Sequence, residues 1–122
     1  MASVLSNYLA NIMLASHFAS GQTLYVALHI EDPTALGDVA TELAGGDYTR
    51  VSTTFTAPGS KTTANATSLI FDDLPASIVT HFGVWDSLAA GHMYVAKELP
   101  SPITVTESGR IQVGVGDIAI TL

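Results

Sequence analysis

The stretch Val79-Thr80-His81-Phe82-Gly83-Val84-Trp85-Asp86 carries the only tryptophan of the chain and one of its four histidines on a short apolar run. Apolar, β-branched and aromatic residues bounded by turn formers read as a buried strand, and Asp86-Ser87 supplies the turn that ends it. A second stretch, Val26-Ala27-Leu28-His29-Ile30-Glu31-Asp32-Pro33-Thr34, repeats the arrangement: an apolar strand, a histidine, then an acidic turn closed by Pro33-Thr34. Such strands are architecture before they are chemistry. His29, His81, Trp85 and Asp86 are therefore read as a structural core motif.

Around this pair the rest of the chain is mostly β. Leu24, Val26, Leu28 and Ile30 alternate with Tyr25, Ala27 and His29, the period of two that marks a strand. Tyr48 to Phe55 has β character, and Ala57-Pro58-Gly59-Ser60 turns the chain. Further strands are expected at Thr67–Phe71, Ile78–Trp85, His92–Glu98, Arg110–Val115 and Ile118–Leu122, separated by Pro75, Ala90-Gly91, Pro100, Pro102 and Gly116-Asp117. Residues 31–47, with Pro33, Gly37, Gly45, Gly46 and five acids, predict a long loop holding a helical turn at Val39 to Leu43. The Thr- and Ala-rich residues 53–67 predict an exposed extended loop, and Gly114-Val115-Gly116-Asp117 the turn of a terminal hairpin. At the N-terminus Leu5, Tyr8, Leu9 and Ile12 fall at i, i+3, i+4 and i+7, with Ser3 as N-cap and Gly21 as terminator, which predicts an amphipathic helix over about residues 4–19.

These elements give a mainly β fold: an antiparallel β-sandwich or flattened barrel of about seven to eight strands with one N-terminal α-helix. A length of 122 residues suits one domain, with the helix in residues 1–20 and the sandwich in 22–122. A βαβ arrangement fails, because no second helical segment of adequate length separates the strands.

Composition narrows the function classes. Charged residues make up 12% of the chain against about 25% in an average soluble domain, while hydrophobic residues make up 48%. A weakly charged surface is costly to leave in water, so the chain is expected to pack against copies of itself or a larger assembly. The helix points the same way. Asn, Ala, Met and Ser stand where a solvated face would carry Lys and Glu, so Leu5, Tyr8, Leu9, Ile12 and Met13 are candidate subunit-interface residues, with a trimer the expected symmetry. A net charge of −7, with Arg50, Lys61, Lys97 and Arg110 the only cations, argues against nucleic acid. The apolar run Val4–Phe18 lacks a basic flank and is too short and polar to span a bilayer, so no membrane role is expected.

No catalytic residue, metal site or cofactor is predicted. Without cysteine there are no disulfides, thiolate nucleophiles or zinc-thiolate sites. His29 and His81 could form a two-histidine metal or acid–base pair, but the favoured reading has both imidazoles bonding neighbours on half-buried strands. The acidic loop lacks the calcium-loop spacing, no Gly-x-Ser-x-Gly elbow occurs, and Asp72-Asp73 reads as a turn beside Pro75. Asn65-Ala66-Thr67 matches a glycosylation sequon, a pattern common by chance. Trp85 with Tyr94 or Tyr48 could stack a sugar if exposed side by side, which keeps a carbohydrate-binding module as the alternative function; core packing of Trp85 is favoured.

The order of motifs adds a resemblance. Tyr8-Leu9-Ala10-Asn11, Val26-Ala27-Leu28-His29, Asp32-Pro33-Thr34, Gly37, Glu42-Leu43-Ala44-Gly45-Gly46-Asp47-Tyr48-Thr49-Arg50, Phe55-Thr56-Ala57-Pro58, Asn65 and then Val79 to Asp86 resemble a family of small virion proteins of tailed bacteriophages, usually labelled tail fibre or minor tail proteins. The resemblance implies a virion location and a non-enzymatic structural role in a symmetric homo-oligomer, with other virion proteins as partners; a host surface glycan is the partner that the carbohydrate-binding alternative would bring. In one place the chain departs from it: Ser87-Leu88-Ala89-Ala90-Gly91-His92 stands where the family continues with a Gly-rich turn. A long shaft would need repeats or heptads, and neither is present, so a compact accessory of tail, fibre or capsid surface is expected.

Overall fold

A computed structural model describes residues 3–19 and 21–122. One helix, α1 (Asn7–His17), precedes eight strands: β1 (Leu24–His29), β2 (Val51–Thr53), β3 (Thr62–Ala64), β4 (Leu69–Leu74), β5 (Ser77–Trp85), β6 (Met93–Val105), β7 (Gly109–Val113) and β8 (Ala119–Thr121). A 3₁₀ turn at Val39–Thr41 interrupts the long loop after β1. The chain is mainly β and all pairing is antiparallel; the sheets do not close into a barrel.

The central sheet has the order β2-β1-β5-β6. In it the two strands that open the sequence reading lie side by side, Tyr25 opposite Trp85 and His29 opposite His81. Leu24, Val26 and Leu28 of β1 join Phe82 and Val84 of β5 in the main core, and β4 and β7 close that core with Leu69, Phe71, Ile111 and Val113. The other face of β1 and β5, with Ala27, His29 and Trp85, is buried as well. Burial on both faces is why these strands read as near-continuous apolar runs rather than as a strict alternation.

Four expectations change. The helix begins later, because Ser6 rather than Ser3 caps it: Ser6 Oγ accepts from the Leu9 N–H at 3.1 Å, and Ser6 itself is extended (φ −68°, ψ 153°). Residues 53–67 are not an exposed loop. Residues 54–56 pair with 64–66, β3 pairs with β8, and Thr63 is buried with its hydroxyl donating to the Thr56 carbonyl at 2.5 Å. A Thr/Ala composition cannot distinguish a solvated loop from a strand of small β-branched residues. Pro100 and Pro102 do not end β6, which runs through both as the edge of its sheet, where an N–H is dispensable. The terminal hairpin does not form: residues 114–117 turn, held by Gly114 N–H to Asp117 Oδ2 at 2.9 Å, but β7 pairs with β4 and β8 with β3.

Two side chains fasten the second layer. Asn65 is fully buried; its amide donates to the carbonyls of Thr67 (2.8 Å) and Gly114 (3.0 Å), and its oxygen accepts from the Ile118 N–H (2.9 Å). The sequon asparagine is thus a staple between loops and lies out of reach of a glycan. Asp72 pairs with Arg110 at 2.7 Å beside a bulge in β4 where Asp73 takes a positive φ of 52°.

Candidate functional site

The outer face of the central sheet carries the one dense polar cluster that the sequence motifs converge on. Gly83 lies between the side chains of His29 and Trp85, and a Cβ there would sit 2.6 Å from His29 Nε2 and 2.8 Å from Trp85 Nε1. The missing side chain lets the two rings meet, their planes 10° from parallel, with the indole N–H donating to His29 Nε2 at 3.3 Å. His29 Nδ1 lies 2.9 Å from Thr41 Oγ1, whose hydroxyl donates to the Asp38 carbonyl at 2.8 Å. The proton assignment follows: the indole can only donate, so Nε2 accepts, and Nδ1 carries the hydrogen given to Thr41. His29 is a neutral imidazole with both nitrogens engaged.

Arg50, from the segment leading into β2, lies over the indole with its guanidinium carbon 4.2 Å from the ring centroid. Its Nε and Nη2 grip Glu42 at 2.9 and 2.8 Å, a bidentate pair, and Nη1 donates to the carbonyls of Ser87 and Ala90, both at 2.8 Å. Tyr48 completes the set, donating to Glu42 Oε2 at 2.5 Å while accepting from the Leu28 N–H at 3.1 Å. Three segments distant in sequence, 38–50, β1 and the 86–92 turn, are thereby tied to one tryptophan. The turn is fastened again at its ends, where Asp86 Oδ1 accepts from the His92 N–H at 2.7 Å.

Burial pushes the His29 pKa down from 6.5, and Arg50 and His81 add to this while Glu42 opposes it. For Glu42 burial acts upward, but the hydrogen bonds from Arg50 and Tyr48 outweigh it and hold the carboxyl below 4.5. Burial, then the bond to Glu42, drives the Tyr48 phenol far above its usual range. Both His29 and Glu42 are depressed groups, so each contributes stability that is complete above its unfolded value and lost as pH falls through its folded value. Stability is therefore expected to decline as pH drops from about 6.5, with a further loss below about 4.5. Urea midpoints between about pH 7.5 and pH 4 check this; His29→Gln, which cannot titrate, flattens the upper part of the profile, and an unchanged midpoint across the range would contradict the assignment.

Chemically the cluster is a clamp. Among the described residues no buried side-chain polar atom lacks a partner, and no group of three or more His, Asp or Glu is placed to hold a metal. His81, the cross-strand neighbour of His29, bonds Thr80 Oγ1 through Nδ1 at 2.9 Å. Asp86 stands at the strand end, partly exposed. The sugar-stacking platform does not assemble: Trp85 is 2% exposed beneath Arg50, Tyr48 points inward to Glu42, and Tyr94 packs at the surface against Phe18 and His17. Sequence reasoning missed Arg50, Glu42, Tyr48 and Thr41 as partners of the two strands. The available signal was Arg50 itself, one of four cations in a chain of low charge, set on an aromatic β segment.

The remaining candidate residues lie elsewhere. Along α1, Ala10 and Leu14 are buried and Phe18 follows them at the next turn, whereas Tyr8, Leu9, Ile12 and Met13 face outward and Leu5 is half-buried.

No curated protein matches the chain. A family model described as Podophage GP4 fiber I protein gp80 matches residues 1–121, in agreement with the resemblance carried by the ordered motifs. Matched along nearly its whole length, the chain belongs to this podophage fibre family and is a structural component of the tailed-phage virion.

Proposed function

We propose that this chain is a non-enzymatic, single-domain accessory of the fibre that assembles by protein–protein contacts, both with copies of itself and with other virion proteins, through the outward face of α1. One observation carries the reading: on a helix without a single Lys, Arg, Asp or Glu, Tyr8 is 78% exposed and Leu9, Ile12 and Met13 are exposed beside it. A surface helix normally turns charge to water, and a contiguous apolar strip left outside marks a contact surface. Met13 continues the strip into a groove it shares with Tyr94 and Leu122. The glycan alternative asked for aromatic side chains exposed side by side, and of its three candidates only Tyr94 is exposed.

The test is the state of the protein in solution. Sedimentation is expected to give a trimer, and the double variant Leu9→Asp/Ile12→Asp to give a monomer that keeps the parent's circular dichroism, because both side chains are exposed on the single chain, while its Tm no longer rises with protein concentration. A parent that stays monomeric at about tens of micromolar, or a double variant that still assembles, would remove the helix face from the assembly.

A further inference from the structure

His29 is enclosed from two sides by structure of different kinds. On one side stands β5, where His81 is its cross-strand partner and Gly83 comes so close that a Cβ there would sit 2.6 Å from His29 Nε2, which leaves no space for a water between them. On the other, residues 41–43 run beside β1: His29 bridges Glu42, the Ile30 N–H donates to the Thr41 carbonyl at 2.9 Å, and the Leu43 N–H donates to the Leu28 carbonyl at 2.8 Å. Leu43 is anchored in the main core, whereas residues 38–40 are exposed and are entered through Gly37, whose φ is 63°. Residues 38–41 thus form a short piece of chain between a fixed point and a glycine, with Thr41 turned inward over the ring.

The bonds beneath this piece suit only the neutral imidazole. A proton on Nε2 sets two N–H groups against each other across 3.3 Å, because an indole donates and never accepts. The neighbouring groups are already committed: the guanidinium over the indole is itself a donor, and both Glu42 oxygens are engaged by Arg50 and Tyr48. The charged and titratable groups around the ring are Glu42, Tyr48 and Arg50 from the covering segment and His81 from β5, with Glu98 one strand further, opposite His81 on β6. Burial is the main resistance to the proton; Glu42 favours it, and Arg50 and His81 oppose it. A buried cation without an acceptor is costly, so the ring must reach water in order to charge. Towards β5 that route would break a paired ladder, whereas raising residues 38–41 gives up the Ile30–Thr41 bond and the contact of the ring with Thr41.

We infer that residues 38–41 are an acid-released flap, hinged at Gly37 and Glu42, which lifts when His29 takes a proton and admits water to the ring and to the N–H edge of Trp85 while the main core stays closed. The flap does not depend on assembly through α1.

The Ile30 amide reads the flap, because its acceptor lies on the moving piece. Its protection against exchange, corrected for the intrinsic rate, is expected to be at least about tenfold below that of the β1–β5 ladder and insensitive to low urea, the mark of a local opening. Below about pH 6.5 and down to about pH 5 it is expected to fall about tenfold per pH unit, the slope of one linked proton. His29→Gln, which donates and accepts but does not titrate, is expected to remove that slope. In the parent, ring nitrogen shifts are expected to show His29 as the neutral Nδ1–H tautomer for as long as Ile30 stays protected. Ile30 exchanging at the rate and with the urea dependence of the ladder would overturn the flap, as would a His29 ring that charges while Ile30 stays protected. The same slope in His29→Gln would also overturn it, because the proton would then bind elsewhere.

Discussion

Replacing Arg50 with alanine is expected to cost about 3–5 kcal/mol, the range for breaking a buried ion pair by removing one partner. The side chains of Arg50 and Glu42 are 3% and 12% exposed, so the carboxylate left behind keeps only Tyr48 as a donor and its pKa rises toward and above the usual carboxylate value. The variant also strips the carbonyls of Ser87 and Ala90 of their donors and uncovers one face of Trp85. Urea denaturation reads the first effect, and faster amide exchange across residues 86–92 reads the second. Arg50→Lys recovers only part of the loss, because an ammonium cannot grip Glu42 with two bonds and reach two carbonyls as well. A loss below about 1 kcal/mol with unchanged exchange would mean that the clamp is ornamental to stability.

Trp85→Ala has an expected cost of similar size, about 3–5 kcal/mol, the range for emptying a buried large aromatic site. Three contacts go together: the indole's packing against Gly83, its hydrogen bond to His29, and the surface on which Arg50 lies. His29 would keep its Thr41 partner and lose the donor at Nε2, so a water must enter or the ring must move. Trp85→Phe retains most of the ring and loses the N–H, for an expected cost of about 1–3 kcal/mol. Since the substitution removes the only tryptophan, unfolding has to be followed by circular dichroism. A variant that melts with the parent would place the indole outside the core.

The strands that matter most were legible because burial on both faces leaves an unmistakable apolar run, and β1 and β5 fall where their hydrophobic patterns put them. What covers their outer face was not legible. Glu42, Tyr48 and Arg50 sit in or beside a stretch rich in Gly and acids that has the composition of a solvated loop, and only the fold shows that this stretch lies down on the sheet and contributes Thr41, Leu43 and Arg50 to the interior. A sequence registers charge but not its partner eight residues away. The short strand β3 escaped for a different reason, since three residues of Thr and Ala hold too few apolar positions to show a period. Pro100 and Pro102 misled because proline's effect depends on which side of a strand needs its N–H, and that is fixed by the neighbour the strand lacks.

The turn after Trp85 is held in an unusual manner. Arg50 touches it only through the oxygens of Ser87 and Ala90, and Asp86 secures it through the N–H of His92, all groups that every substitution at positions 88 and 89 leaves in place. Leu88 and Ala89 are exposed beside this anchor, and the turn's further hydrogen bond, from Ser87 Oγ to the Ala89 carbonyl at 2.9 Å, again uses a main-chain oxygen. The constraints on residue type lie instead at Ala90 and Gly91, with φ of 54° and 76°. The molecule thus separates the form of the turn from its chemical identity: none of the hydrogen bonds that hold the loop uses the side chain of Leu88 or Ala89. A fibre protein built this way can acquire a new surface at that position without refolding anything beneath it.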